Sequence, residues 1–178
     1  MKVLLSVLLA LYVFVLFITS MTTSTSVFPA VDNQTIYLVG YSANLTSNTT
    51  DCLRSTYVGK VRDWVNRTIV FRYLSPHLPP QRVVLFAEVA TRSHNVILQV
   101  KNPGFLVPLL PAKAEYLIRF YSSKAMLISD LIEGPHDLRP PCSLWVTDLK
   151  ENDTYIMNAF LSLCPAPVYV GFPTNCSV

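Results

Sequence analysis

Apolar and polar residues along this chain alternate with a period of two far more often than with the 3.6 of a helix. From Leu53, the residues Leu53, Ser55, Tyr57, Gly59 and Val61 share one face, while Arg54, Thr56, Val58, Lys60 and Arg62 share the other, as in a half-buried strand. A turn around Asp63 to Asn66 leads to Thr68–Leu74, with Ile69, Phe71 and Tyr73 on one side and Arg72 opposite. Pro76, Pro79 and Pro80 then end the strand, because proline cannot donate to a ladder. Val83–Ala90 and Val96–Lys101 flank Arg92-Ser-His-Asn95, which reads as a hairpin turn. Phe105–Leu110, Glu115–Tyr121, Lys124–Ile132 and Cys142–Thr147 are further β-rich runs, and Ile36–Tyr41 precedes them all. About eight or nine short strands at this spacing predict an all-β sandwich or barrel. Helical periodicity appears once, in Leu149–Cys164, where Ile156, Met157, Phe160, Leu161 and Leu163 recur behind Asp153 and Thr154, either of which can cap the helix. That helix must lay its apolar stripe on the outside of the sheet.

The 178 residues are 51% apolar and 14% charged, which excludes a disordered chain and fits one domain. Mean hydropathy is +0.39, and much of it lies at the front. Met1-Lys2 is followed by Val3–Ile18, broken only by Ser6, and then by a Thr/Ser tract to Ser26. A charged start, a short apolar stretch and small residues after it read as a secretory signal peptide over residues 1–24, cleaved between 20 and 26, ahead of one domain over 25–178. No later stretch approaches the roughly 20 apolar residues of a spanning helix, so no membrane span is expected. Without Lys2, thirteen basic and eleven acidic side chains leave +2, too balanced to suggest nucleic-acid binding.

Secretion gives the four cysteines, Cys52, Cys142, Cys164 and Cys176, a meaning: two disulfides, in any of three connectivities, rather than a metal site, for which the spacing is wrong. Sequons at Asn33, Asn44, Asn48, Asn66 and Asn152 agree with that compartment and predict a surface glycoprotein. Catalytic chemistry is not visible. His77, His94 and His136 fall in Pro- or polar-flanked turns, and Asp130 and Glu133 suit a strand end as well as an acid–base pair, so an enzyme is not expected.

Two all-β folds compete. Trp64 lies twelve residues after Cys52, and Cys142 ninety after it, a spacing like that of an immunoglobulin sandwich. Against the sandwich stand Pro140 where a tyrosine belongs, the Pro-Pro before Cys142, and the late helix. For the barrel, Cys142-Ser-Leu-Trp-Val146, a helix ending Phe160-Leu-Ser-Leu-Cys-Pro165 and the late Cys176 resemble the C-terminal half of the tick salivary lipocalins. Tyr37-Leu-Val-Gly-Tyr-Ser42, Asp51-Cys-Leu-Arg54 and Tyr121-Ser-Ser-Lys-Ala-Met-Leu-Ile128 resemble that family's first strand, first cysteine and a later strand, the last without its cysteine.

The resemblance implies an eight-stranded antiparallel lipocalin-type β-barrel with one C-terminal helix, and it implies the pairs Cys52–Cys176 and Cys142–Cys164. It also implies sequestration of a small molecule. Amine-binding members use two cavity carboxylates, whose positions here are Ser143 and Met126 or Leu127, so an amine is not expected. The inward faces supply an apolar lining of Tyr57, Val61, Phe71, Tyr73, Leu98, Tyr116, Phe120, Leu127, Ser143 and Trp145, with Val96 beside them. Such a lining suits a sterol or a fatty-acid-derived mediator, and with Arg54, Arg62, Arg72 and Arg119 on polar faces a neutral sterol is favoured. The glycosylation and cysteine pattern further resemble an immunomodulatory subgroup of the family that encloses cholesterol and acts on host dendritic cells. That implies an immune-cell surface partner and no cofactor. The competing readings are an eicosanoid scavenger without a cell-directed role and an Ig-like binding domain without a cavity.

Overall fold

The computed structural model describes residues 27–46, 50–74, 78–92, 94–101, 113–132, 139–150 and 153–176. The segment expected to be a signal peptide, His77, His136, Asn48, Asn152 and the run Phe105–Leu110 lie outside them. The strands are β1 (Ile36–Ser42), β2 (Thr50–Val61), β3 (Trp64–Tyr73), β4 (Gln81–Arg92), β5 (Asn95–Lys101), β6 (Glu115–Tyr121), β7 (Ala125–Ser129), β8 (Cys142–Val146) and β9 (Pro167–Tyr169); helix α1 (Thr154–Leu163) precedes β9.

β2 to β8 pair in chain order, all antiparallel, and β1 pairs β8 on one side and β2 on the other. Eight strands therefore close into a barrel, which removes the exposed edges an open sheet would carry. The β1–β2 seam is short, at Ile36–Ser55 and Tyr37–Arg54; beyond it β1 pairs β9 instead. The tail is held there by Cys52–Cys176, with Cα atoms 5.4 Å apart. The second disulfide, Cys142–Cys164, ties β8 to the end of α1. An immunoglobulin pairing of Cys52 with Cys142 is thus ruled out, and Trp64 lies on the outer face with the Lys101 ammonium 3.8 Å from its ring centre.

Helix α1 starts at one of the two caps its sequence offers. Leu149 is part of a turn in which Asp148 accepts from the Lys150 amide at 2.9 Å, and Asp153 caps the helix by accepting from the Tyr155 amide at 2.8 Å. Ile156 and Phe160 bury their side chains against Val39, Ala125, Leu127, Leu144 and Val146 on the outside of the barrel. Gly40 permits this approach, since a Cβ there would sit 2.8 Å from Phe160 Cζ.

Among the described residues four bulges break the alternation inside single strands, one of them in β1 between Leu38 and Gly40. In β2 the ladder slips between Asp51 and Arg54, where Cys52 has a φ of 56°, and again between Tyr57 and Gly59; in β6 it slips between Ile118 and Phe120. Each inserts one residue and reverses which face the following side chains take.

Candidate ligand-binding cavity

One residue in two along the strands turns its side chain into the barrel. Leu53 and Ser55 of β2, Arg67 and Ile69 of β3, Leu85 and Ala87 of β4, and Leu98 and Val100 of β5 form one wall of an interior chamber. Tyr116 of β6, Met126 and Ile128 of β7, and Ser143 and Trp145 of β8 form the opposite wall, with Ile36 and Ala30 completing it. The chamber holds about 200 Å³. Leu53, Tyr116, Ile128, Ser143 and Trp145 also border a wider mouth of about 800 Å³, rimmed by Leu45, Leu74, Lys113, Asp130, Pro141 and the tail from Val170 to Pro173. A deep apolar space opening into a broad one is the shape of a lipid site.

The closed end is made by Arg67, which is 1% exposed. Its Nε donates to Ser55 Oγ at 2.8 Å, one terminal nitrogen to the Asp32 carbonyl at 2.7 Å, and the other to the carbonyls of Gln34 at 2.6 Å and Ser55 at 3.0 Å. Longer contacts reach the carbonyls of Ala30 and Pro29. Burial pushes its pKa down to about 10, opposed by Asp32 and Tyr57, so the guanidinium stays charged at neutral pH. Its donors are spent on the chain's own oxygens, which bind residues 29–34 across the end of the barrel.

What faces a ligand is therefore neutral. Ser143 Oγ accepts from Trp145 Nε1 at 3.0 Å and keeps its own hydrogen to donate. The Tyr116 hydroxyl accepts from the Lys113 amide at 2.8 Å, and burial raises its pKa, so it too remains a protonated donor. No carboxylate lines the chamber among the described residues, and Met126 and Ser143 both do. At the mouth the charges are paired: Lys113 with Asp130 at 2.7 Å and Arg72 with Asp51 at 2.7 Å.

Of the residues expected to line the cavity, Leu98, Tyr116, Ser143 and Trp145 are brought together there. The other six lie elsewhere. Tyr57 pairs across the ladder with Arg67 at the closed end. Phe71 and Tyr73 share the inner face of β3 but pack on each other, ring centres 5.6 Å apart, in core beside the chamber. Val61, beyond the Tyr57–Gly59 bulge, is 62% exposed. Phe120, beyond the β6 bulge, faces outward against Tyr155 of α1. Leu127 lies under α1 because the outer face of β7 is also buried, and a strand covered on both sides shows no alternation to read.

Arg67 also lines the chamber, and counting back in twos from Ile69 places it inside. Of the sequons, Asn33 and Asn44 are exposed and Asn66 is half-buried on the outer face of β3.

A closed eight-stranded barrel with a flanking helix, a sealed end and an apolar interior is a lipocalin, a ligand-binding fold. No family model matches the chain. It is 34% identical over 178 residues to Japanin-like-RS of Rhipicephalus sanguineus and 35% identical over 179 residues to Japanin of Rhipicephalus appendiculatus, in each case across 99% of both sequences. The chain belongs to the Japanin family. The solved structure of Japanin bound to cholesterol matches with a TM-score of 0.71 at 32% identity, over 84% of this chain and 99% of that one. Lobster apocrustacyanin A1, 9% identical, matches with a TM-score of 0.54 over 89% of this chain and 85% of its own, and shares the fold alone.

Proposed function

We propose that the protein encloses a neutral sterol such as cholesterol and, as a secreted glycoprotein, modulates host immune cells such as dendritic cells through its outer surface. The observation that carries the ligand reading is the chemistry of the chamber: its one charged side chain, Arg67, is saturated by backbone carbonyls, and its remaining polar groups are hydroxyls. A hydroxyl head can exchange hydrogen bonds with Ser143 or Tyr116 while the hydrocarbon fills the space between Leu53, Leu98 and Trp145. A fatty-acid-derived mediator would bring a carboxylate into that chamber without a cation free to meet it, and a charge left unpaired there costs several kcal/mol. The cholesterol held by Japanin supports the same choice.

Two disulfides, and the lack of a helix long and apolar enough to cross a membrane among the described residues, fit an extracellular protein. The cell-directed role rests on the resemblance to immunomodulatory members of the family. Organic extraction of protein secreted from cultured eukaryotic cells, followed by mass spectrometry, tests the ligand. Sterol at close to one per chain is expected. Recovery of an eicosanoid would replace this reading with a scavenger, and an empty extract with no uptake of labelled cholesterol would overturn both. For the cell-directed part, sterol-loaded protein should alter maturation markers on host dendritic cells, and unchanged markers would remove it.

A further inference from the structure

Among the described residues, the outer face of β2 to β5 carries apolar side chains with no helix or further strand over them, although the Lys101 ammonium lies 3.8 Å from the ring centre of Trp64. Val58 and Val84 are 57% and 42% exposed, Trp64 and Phe86 are half-buried, and Asn66 sits between them. A strand places residues i−2, i and i+2 on one face, so Trp64, Asn66 and Thr68 stand in a row pointing outward. Across the ladder Asn66 faces Phe86 on β4 and Gly59 on β2. Gly59 offers no side chain, and a Cβ there would meet nothing within 4 Å, so the space on that side of Asn66 is open. The Asn66 amide oxygen is buried without a hydrogen-bond partner, which leaves the nitrogen as the other end of the amide.

Asn66-Arg-Thr68 is also a sequon. We propose that Asn66 carries an N-linked glycan whose first sugar packs against Phe86 and Trp64, so that this sheet face is covered by the protein's own carbohydrate. The attachment forms a bond from Asn66 Nδ2 to C1 of the sugar as the C1–oxygen bond to a lipid-pyrophosphate oligosaccharide donor breaks. The pyrophosphate leaves with the bonding pair, Nδ2 gives up one proton, and nothing is oxidised or reduced. The apolar face of an N-acetylglucosamine ring matches an aromatic side chain as another ring would. A glycan in that position removes the β2–β5 face from use as a protein contact and directs any protein partner to another side of the barrel.

Site-resolved mass spectrometry of the secreted protein should find Asn66 occupied. Thr68→Val, which abolishes the sequon while suiting a strand, should lower the melting temperature of the secreted protein by about 3 °C, the shift expected from losing one aromatic contact in a chain of this size. The same substitution in protein made in bacteria, which lacks the glycan in both forms, should leave the melting temperature unchanged, and Asn66→Gln provides a second comparison. Occupancy of Asn33 or Asn44 with Asn66 bare would overturn the proposal. Bare asparagines throughout would overturn it too, by removing the secretory route. An occupied Asn66 whose loss moves neither melting temperature would show a glycan that stands clear of the sheet, and would overturn the packing.

Discussion

The two ends of the barrel are held by different physics. At the closed end one guanidinium, 1% exposed, gathers the carbonyls of residues 29–34 and both oxygens of Ser55. At the open end the tail is anchored by the Cys52–Cys176 disulfide, by the β1–β9 ladder and by Arg72, which donates to the Asn175 carbonyl at 3.2 Å, while the charges of the rim form two part-exposed ion pairs. Exposed pairs contribute about 0–1 kcal/mol each, so the rim away from the anchored tail is held by weak contacts. A buried network fails as a unit when one member is removed, whereas a mouth held by weak contacts can give way to admit a ligand. The contrast suits a container that must seal at the bottom and open at the top.

The sharpest way to break this comparison is to cut the covalent link. Replacing Cys52 and Cys176 by alanine removes a cross-link spanning 124 residues, which in the chain-entropy model contributes about 5 kcal/mol. Removing Cys142–Cys164, which spans 22 residues, should cost about 3 kcal/mol by the same reasoning. Denaturant unfolding of the two double variants checks both. The first should also release bound sterol faster, because the tail it anchors borders the mouth; equal destabilisation and equal release rates would mean that the tail is held mainly by its other contacts.

Next in size is Arg67→Met, which keeps the volume and removes the donors. It strands the carbonyls of Asp32, Gln34 and Ser55 and should destabilise by about 4 kcal/mol, within the range for breaking a buried charged network. A near-neutral result would show that the closed end is sealed by packing around Pro29 and Ala30 instead.

Most of the barrel is legible in the sequence, and the two ends differ in this respect too. Glu115–Tyr121 was read to the residue, and the Arg92–Asn95 hairpin pairs as expected. Period-two reading fails where the backbone slips, and a bulge has no compositional mark here: Val58 and Arg119 look like any other strand residues. Two of the misplaced cavity residues, Val61 and Phe120, follow such slips. Leu127 fails for another reason, since α1 buries the outer face of β7 and erases the pattern. Arg67 escapes because Asp63 to Asn66 reads as a turn and the strand is expected from Thr68, whereas β3 already begins at Trp64. β9 is only three residues long and begins with a proline, so nothing in its sequence sets it apart from a loop.

A smaller effect is expected at the boundary between chamber and mouth. Ser143→Ala removes a hydroxyl donor and the acceptor of Trp145 Nε1. Loss of one neutral hydrogen bond corresponds to about 1 kcal/mol, or roughly fivefold weaker sterol binding in a competition assay. Tightened binding would place the sterol hydroxyl elsewhere, with Tyr116 the next candidate.

The smallest effect concerns pH. In the folded protein burial holds the Arg67 pKa down at about 10, below its ordinary value in the unfolded chain. Between those values the unfolded chain binds more protons, so this group's contribution to stability rises with pH there and is constant below about pH 9. Tyr116, its pKa raised by burial above the ordinary tyrosine value, is likewise protonated below about pH 9. Sterol retention should therefore change by less than about twofold from pH 5 to pH 9. A fall on acidification, followed by equilibrium dialysis of labelled cholesterol, would transfer control of the ligand from the hydroxyls of the chamber to the carboxylates of the rim, Asp51 and Asp130.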